Sequence, residues 1–129
     1  MENNSENKPS NKFLKSFVYA FNGIKHAVLT QQNFRVHLLI ALLVLIAGFI
    51  LAISTTEWLV IIIVMGVVFS AELFNTALEG IVDFISPDYD KKAGLIKDYA
   101  AAAVLITAIA AAIIGIIIFA PKIIELLIK

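Results

Sequence analysis

The first part of the chain changes from a polar segment to one with helical periodicity. Residues 1–12 are polar with no apolar repeat, which predicts a disordered start. From 13 to 30, apolar side chains that include Phe13, Phe17 and Phe21 recur at helical spacing, with lysines on the opposite face. This arrangement is typical of a helix that lies in the membrane interface, and the alternative is an amphipathic helix packed on a protein core.

Three longer apolar stretches follow. Roughly 20 apolar residues cross a bilayer, and each stretch is about that long or longer. The predicted spans are 34–54, 57–85 and 99–120, with a polar loop at 86–98 between the second and the third. The pattern therefore predicts an all-α membrane protein that forms one domain over 1–129, with an N-terminal amphipathic surface helix and three transmembrane helices.

The second predicted span is apolar in its first half and carries polar side chains in its second half. At 100° per residue these side chains share an arc of about 80° over about 16 Å of helix. We call them the acidic stripe: Glu72, Asn75, Thr76, Glu79 and Asp83. A charged side chain at membrane depth costs at least a few kcal/mol, so it is retained where it is paired, hydrated or functional.

The acidic stripe alone is compatible with three roles. The first role is metal-assisted catalysis. The carboxylates need cations, and the candidates are Lys97, Arg35 or a divalent metal. Mg²⁺ commonly takes one or two carboxylates together with water and substrate phosphates. A proton or ion path is the second role, and hydrogen-bonded assembly of helices is the third. No Walker phosphate loop or other common catalytic motif occurs in the sequence to decide among them.

Composition agrees with a membrane protein and excludes several other classes. The chain has 129 residues, of which 60% are hydrophobic and 16% charged, against about 25% charged in a soluble domain. Ten basic residues balance ten acidic ones, which argues against a nucleic-acid partner held by phosphate contacts. There is no cysteine, so thiolate nucleophiles and cysteine-ligated zinc are excluded.

The distribution of basic residues predicts the orientation of the spans. Eight of the ten Lys and Arg residues fall in 1–37 and 86–98, on one side of the three spans. Only Lys122 and Lys129 fall on the other side. Because basic residues are enriched in cytoplasmic loops, we expect the N-terminus, the acidic stripe and the loop to lie at the cytoplasmic face of the membrane.

Two runs resemble the signature of a known family. The first is ELFNTALEGIVD at 72–83, and the second is KDYAAAAV at 97–104. Together they are similar to the motif of the small prokaryotic diacylglycerol kinases, and the similarity extends over nearly the whole chain. The segments HLLIAL and FAPK look more like the Gram-positive branch, whose members act as undecaprenol kinases.

The resemblance implies a homotrimer of three-span subunits with an active site shared between neighbours. It implies transfer of the γ-phosphoryl of ATP, as its Mg²⁺ complex, to the hydroxyl of a lipid alcohol. Undecaprenol is the expected acceptor and diacylglycerol the alternative. The competing class is a small ion-path or assembly protein, which has no need for Asn75 or for the Lys97-Asp98 pair.

The resemblance also implies roles for individual residues. Glu72 corresponds to the general base that takes the proton of the lipid hydroxyl, and Glu79 corresponds to a metal ligand. The residues expected around ATP and its metal are Lys12, Tyr19, Gln31, Asn75, Glu79, Asp83, Asp88, Tyr89, Asp90, Lys97 and Asp98. His37 is interpreted as an interfacial polar residue rather than a catalyst.

One position departs from the family pattern. The family normally has a second metal-binding Glu where this sequence has Gln31, three residues before Phe34. An amide oxygen can coordinate Mg²⁺ but removes one negative charge from the site. A weaker metal affinity, an engineered change and a weakly active protein are all compatible with this glutamine.

Overall fold

The computed structural model describes residues 9–88 and 90–128, and the regular structure within them is entirely α-helical. The helices are α1 (Pro9–Thr30), α2 (Gln32–Ile50), α3 (Thr55–Ile85) and α4 (Lys91–Ile128). Helices α2, α3 and α4 are each long and apolar enough to cross a membrane. The predictions of an all-α fold and of three spans are therefore confirmed.

Helix α1 begins within the segment predicted to be disordered. Residues 9–12 are helical, while residues 1–8 lie outside the described part of the chain. The polar composition of residues 9–12 gives no apolar repeat, so the sequence pattern does not predict that they are helical.

Most of the predicted loop at 86–98 is helical, because α4 begins at Lys91. The side chain of Asp90 explains this start. Its Oδ1 accepts hydrogen bonds from the backbone N–H groups of Lys92 at 2.8 Å and Ala93 at 2.9 Å, as a helix N-cap does. The connection between α3 and α4 is therefore only residues 86–90, of which Tyr89 lies outside the described residues.

Helix α4 also continues past its predicted end at residue 120. Pro121 lies inside the helix, where a proline removes one backbone hydrogen bond and costs about 3 kcal/mol or more. The extension is joined to the start of α3 by an ion pair between Lys122 Nζ and Glu57 Oε2 at 3.2 Å. A second ion pair, between Lys97 and Asp83, joins the opposite ends of the same helices. Helices α3 and α4 therefore run antiparallel.

A tight turn joins α2 to α3. Ser54 and Glu57 form a capping box: the Glu57 N–H donates to Ser54 Oγ at 3.3 Å, and the Ser54 N–H donates to Glu57 Oε2 at 2.6 Å. Ala52 adopts a positive φ of 47° in this turn. The rings of Phe49 and Trp58 pack with centroids 4.8 Å apart. The turn therefore has both backbone and side-chain support.

Helix α3 is central, because it contacts each of the other three helices. A cluster of buried aliphatic side chains, Ile53, Ile61 and Ile118, lies at the end that carries the α2–α3 turn. Most other large apolar side chains of α2, α3 and α4 point outward and are exposed. Such surfaces are expected of helices solvated by lipid rather than by water. The half of α3 that carries the acidic stripe lies at the opposite end from this cluster.

Replacing Gly48 with alanine is expected to lower the free energy of unfolding by about 1–3 kcal/mol, as overpacking does. A Cβ at this position would lie 2.7 Å from Trp58 Cη2 and 2.9 Å from Trp58 Cζ2. The matched control is Gly66→Ala, since a Cβ there meets nothing within 4 Å. Equilibrium unfolding in mixed micelles measures both, and equal stabilities of the two variants would contradict the prediction.

Candidate active site

Glu72 is the most deeply buried charged residue among those that the structure describes, with 2% of its surface exposed. Among the described residues its Oε2 atom has no hydrogen-bond partner, although Thr76 Oγ1 donates to its backbone carbonyl at 3.0 Å. Leaving a buried polar atom unsatisfied costs about 1–3 kcal/mol, and more when the group is charged. A carboxyl group retained under these conditions indicates a functional site.

Asn75 and Glu79 form the next part of the acidic stripe. Asn75 Nδ2 donates to Glu79 Oε1 at 3.0 Å, one helical turn away. Asn75 is 7% exposed, and its Oδ1 has no partner among the described residues. Two buried oxygen acceptors, this Oδ1 and Glu72 Oε2, therefore lie one turn apart on α3 and are free to accept hydrogen bonds or to bind a cation.

Lys97 reaches the acidic stripe from α4. Its Nζ donates to Asp83 Oδ1 at 2.9 Å, and the side chains are 37% and 64% exposed. An ion pair this exposed is worth about 0–1 kcal/mol, so we interpret it as positioning the lysine rather than as stabilising the fold. Of the cations that the sequence suggested, the structure places Lys97 on the stripe. Arg35 makes no ion pair within the described part of the chain.

The stripe is graded from buried to exposed along α3. Glu72 and Asn75 are buried, Glu79 is half-buried and Asp83 is exposed. A polar molecule can therefore reach Asp83 from water, whereas surrounding side chains cover Glu72.

His37 of α2 is half-buried and lies near enough to Glu72 for their charges to interact, as does Glu79 of α3. The sequence pattern does not predict this proximity. No local signal could reveal it, because the two residues lie on different helices and far apart in sequence.

The remaining predicted site residues lie on α1, on α4 and in the connections between helices. Gln31 is half-buried at the junction of α1 and α2, and its side chain makes no capping hydrogen bond. Lys12 and Tyr19 are exposed on α1, and no hydrogen bond joins their side chains to other described residues. Exposed side chains also belong to Asp88, Asp90 and Asp98. Tyr89 lies outside the described residues.

The donor set fits Mg²⁺ in its chemistry. Within the described residues of one chain, no group of three or more His, Asp and Glu side chains is close enough to hold a metal ion by itself. Mg²⁺ does not need such a cage, since it usually keeps several waters and takes one or two carboxylates with substrate phosphates. The half-buried Glu79 beside the unpartnered Asn75 Oδ1 meets this requirement.

The helices and the stripe define a small three-span membrane protein with a carboxylate site at one end of its helical bundle. Residues 18–119 match the family described as prokaryotic diacylglycerol kinase, which is most of the chain. The chain therefore belongs to this family of lipid kinases, which are phosphotransferases with an alcohol acceptor. The expected family and enzyme class are confirmed.

Individual relatives agree with this placement. The chain is 42% identical to undecaprenol kinase of Bacillus subtilis over 123 residues. These residues make up 95% of this chain and 100% of the relative. It is 38% identical to a diacylglycerol kinase of Synechocystis over 116 residues, and the match spans 89% of this chain and 66% of the relative. It is 29% identical to diacylglycerol kinase of Escherichia coli over 93 residues, and the match spans 72% of this chain and 76% of the relative.

Proposed function

We propose that the protein is an undecaprenol kinase that transfers the γ-phosphoryl of ATP, as its Mg²⁺ complex, to the lipid hydroxyl and so makes undecaprenyl phosphate. The observation that carries the proposal is the buried carboxyl group of Glu72, whose Oε2 has no partner among the described residues. The full-length similarity to an undecaprenol kinase supports this acceptor. Diacylglycerol is the second candidate, because other relatives are diacylglycerol kinases.

Glu72 acts as the general base. As the acceptor oxygen bonds to the γ-phosphorus, its proton passes to Glu72 Oε2, the bond from the γ-phosphorus to the bridging oxygen breaks, and ADP leaves. An alcohol is a weak nucleophile, so a base within hydrogen-bond reach contributes about 10²–10⁴-fold to the rate. The absence of a competing partner on Oε2 supports this role.

Glu79 and Gln31 are the proposed metal ligands, and Asn75 supports Glu79 through the hydrogen bond between them. Bound Mg²⁺ would neutralise phosphate charge as the phosphoryl group moves. Phosphoryl transfer depends mainly on positioning and charge stabilisation, which a small protein can supply. Asp83 holds Lys97 at 2.9 Å and thereby fixes its ammonium group at the water-exposed end of the stripe.

The nucleotide lies at that exposed end in the proposed complex. Lys97 contacts phosphate as a point cation, with Asp98 beside it. Other residues proposed near ATP are Asp88, Tyr89, Asp90, Lys12 and Tyr19. The last two lie on α1, which carries the exposed aromatic side chains of Phe13, Phe17 and Phe21. We infer that these aromatic rings seat α1 in the cytoplasmic membrane interface, as the distribution of basic residues suggests.

The working form is proposed to be a homotrimer. Within one chain, Glu72 Oε2 and Asn75 Oδ1 lack partners, and no hydrogen bond or ion pair joins Lys12 or Tyr19 to the stripe. A neighbouring subunit that contributes α1 residues would complete the site. Cross-linking of purified protein in micelles tests this assembly, and a monomer that is fully active would contradict it.

Phosphorylation of purified protein in mixed micelles tests the proposed function. Radiolabelled ATP and Mg²⁺ are supplied with undecaprenol or with diacylglycerol in separate reactions. Label is expected in undecaprenol at the higher kcat/KM. A preference for diacylglycerol would favour the second candidate, and label in neither lipid would overturn the kinase assignment of these residues.

Replacement of Gln31 by glutamate is expected to raise the affinity for Mg²⁺ or the activity at limiting Mg²⁺. The change restores a carboxylate at a half-buried position where the family normally has one. The Mg²⁺ concentration that gives half-maximal rate measures the effect. The matched control is Gln32→Glu, at an exposed neighbouring position, for which no change is expected. Identical Mg²⁺ dependence of Gln31→Glu and the unaltered protein would contradict a metal-binding role for this position.

A further inference from the structure

A cavity of about 230 Å³ lies between α2, α3 and α4, on the side of Glu72 away from the exposed end of the stripe. We call it the chain cavity. Its walls are apolar except for His37. On α3 the lining extends from Phe69 to Ile61, which is about 12 Å of helix. The cavity is therefore long, partly open to the outside of the bundle at Ile40 and Ala112, and almost without hydrogen-bonding groups.

The chain cavity begins next to the proposed base. Val68 and Phe69, which line it, precede Glu72 by four and three residues and so lie on the same face of α3. His37 lines the cavity and interacts electrostatically with Glu72. Glu72 does not itself line the cavity, so an alcohol bound to its Oε2 would extend its carbon chain over the one helical turn that separates them.

The apolar walls restrict which alcohols fit. In a prenol the hydroxyl carbon is joined directly to one hydrocarbon chain, so an apolar group enters the cavity at once. In diacylglycerol the hydroxyl carbon is followed within a few bonds by two ester groups. Their carbonyl oxygens would lose water against Val68 and Phe69, with only His37 to offer a hydrogen bond. The second acyl chain would also have to stay outside.

The wall formed by α4 has room for a branched chain. Ala108, Ala111, Ala112 and Gly115 line the cavity, and a Cβ added at Gly115 would meet nothing within 4 Å. Prenols carry a methyl branch on every isoprene unit, and side chains no larger than a methyl group leave space for such branches. The pairs Lys97–Asp83 and Lys122–Glu57 place Gly115 about level with Val64, about 12 Å from Glu72 along the helix.

We propose that the chain cavity binds the first part of the acceptor's hydrocarbon chain and makes the enzyme specific for alcohols whose hydroxyl is joined directly to one branched apolar chain. This inference rests on the proposed function, because it assumes that Glu72 receives the acceptor hydroxyl. It assigns selection between undecaprenol and diacylglycerol to the walls of the cavity rather than to the acidic stripe.

The first test narrows the cavity. Ala111→Leu fills it near Val68, and Gly115→Leu fills its far end. The matched control is Ala110→Leu, the same change on an exposed neighbouring position of α4 that does not line the cavity. We expect Ala111→Leu to raise KM for undecaprenol by about tenfold or more, as a misfit of one or a few methylene groups does in an apolar pocket. Gly115→Leu is expected to raise KM for undecaprenol but not for geraniol, a short prenol. Ala110→Leu is expected to change neither.

The second test changes polarity at nearly constant volume. Val68→Thr places a hydroxyl beside the position expected for the carbon next to the alcohol. We expect the ratio of kcat/KM for diacylglycerol over undecaprenol to rise several-fold, because an ester carbonyl gains a donor. An unchanged ratio, or an equal KM for undecaprenol in Ala111→Leu and Ala110→Leu, would overturn the proposal. Loss of cross-linked assembly with equal loss of undecaprenol and geraniol activity would show instead that a second copy fills the cavity, which would also overturn it.

A binding measurement separates this inference from the proposed function. A prenol that carries a diazirine on its first isoprene units is photolysed with the unaltered protein, and the labelled residues are identified by mass spectrometry. Labelling of cavity residues without any turnover would support the cavity and contradict the kinase assignment. Turnover with labelling only outside the cavity would support the kinase assignment and contradict the role of the cavity.

Discussion

Glu72→Gln is expected to lower kcat by about 10²–10⁴-fold while leaving KM for ATP close to its original value. The amide keeps the size and burial of the side chain but cannot take the proton of the acceptor hydroxyl. Because the nucleotide is proposed to bind at the exposed end of the stripe, the change does not touch the expected contacts of ATP. Initial rates at saturating ATP and undecaprenol measure the effect.

The same substitution at the other end of α3 is the control for this experiment. Glu57→Gln keeps a residue that can complete the capping box with Ser54 and loses only the ion pair with Lys122. We expect its kcat to equal that of the unaltered protein. Removing a buried carboxyl group is not expected to lower stability, so unfolding of Glu72→Gln should begin at the same or a higher temperature. Full activity of Glu72→Gln would assign the base elsewhere.

Glu79→Gln is expected to raise the Mg²⁺ concentration for half-maximal rate by about 10–100-fold or more, since changes even in residues that only support metal ligands have effects of that size. Glutamine can still accept the hydrogen bond from Asn75 Nδ2, which lies 3.0 Å from Glu79 Oε1. The variant therefore removes the negative charge while keeping the local geometry. Rate measured against Mg²⁺ concentration at fixed ATP shows the shift.

Combining Glu79→Gln with Gln31→Glu tests whether both residues bind one metal ion. If both side chains bind one metal ion, the double variant regains a carboxylate and its Mg²⁺ requirement should fall below that of Glu79→Gln alone. Residues that share a partner are expected to be non-additive. Strict additivity of the two changes would indicate separate sites, and unchanged Mg²⁺ dependence in Glu79→Gln would remove this residue from the metal site.

Much of the fold could be predicted from local patterns. The three spans and the acidic stripe were visible because each depends on residues within one or two turns of a single helix. The start of α4 could not be predicted from the apolar pattern because a single side chain decides it: Asp90 accepts hydrogen bonds from two backbone N–H groups. The continuation through Pro121 was missed because a tertiary contact, Lys122 with Glu57, accompanies a residue that usually ends a helix.

The candidate site divides in the same way. The spacing of Glu72, Asn75 and Glu79 on one helical face follows from sequence, and so does their likeness to a lipid kinase motif. The pairing of Lys97 with Asp83 required two helices to be packed in one register. The proximity of His37 to Glu72 required a third helix, α2, to pack beside α3.

The sequence by itself determined the number of spans, the acidic stripe and the family, because hydropathy and helical periodicity are local properties that the bilayer enforces. Only the tertiary structure decided that Glu72 is buried without a partner and that an apolar cavity begins beside it. Between helices in lipid there is no hydrophobic driving force, so their contacts depend on the detailed shapes of facing side chains. Those shapes, and the space left by the small residues of α4, exist only when α2, α3 and α4 are packed together.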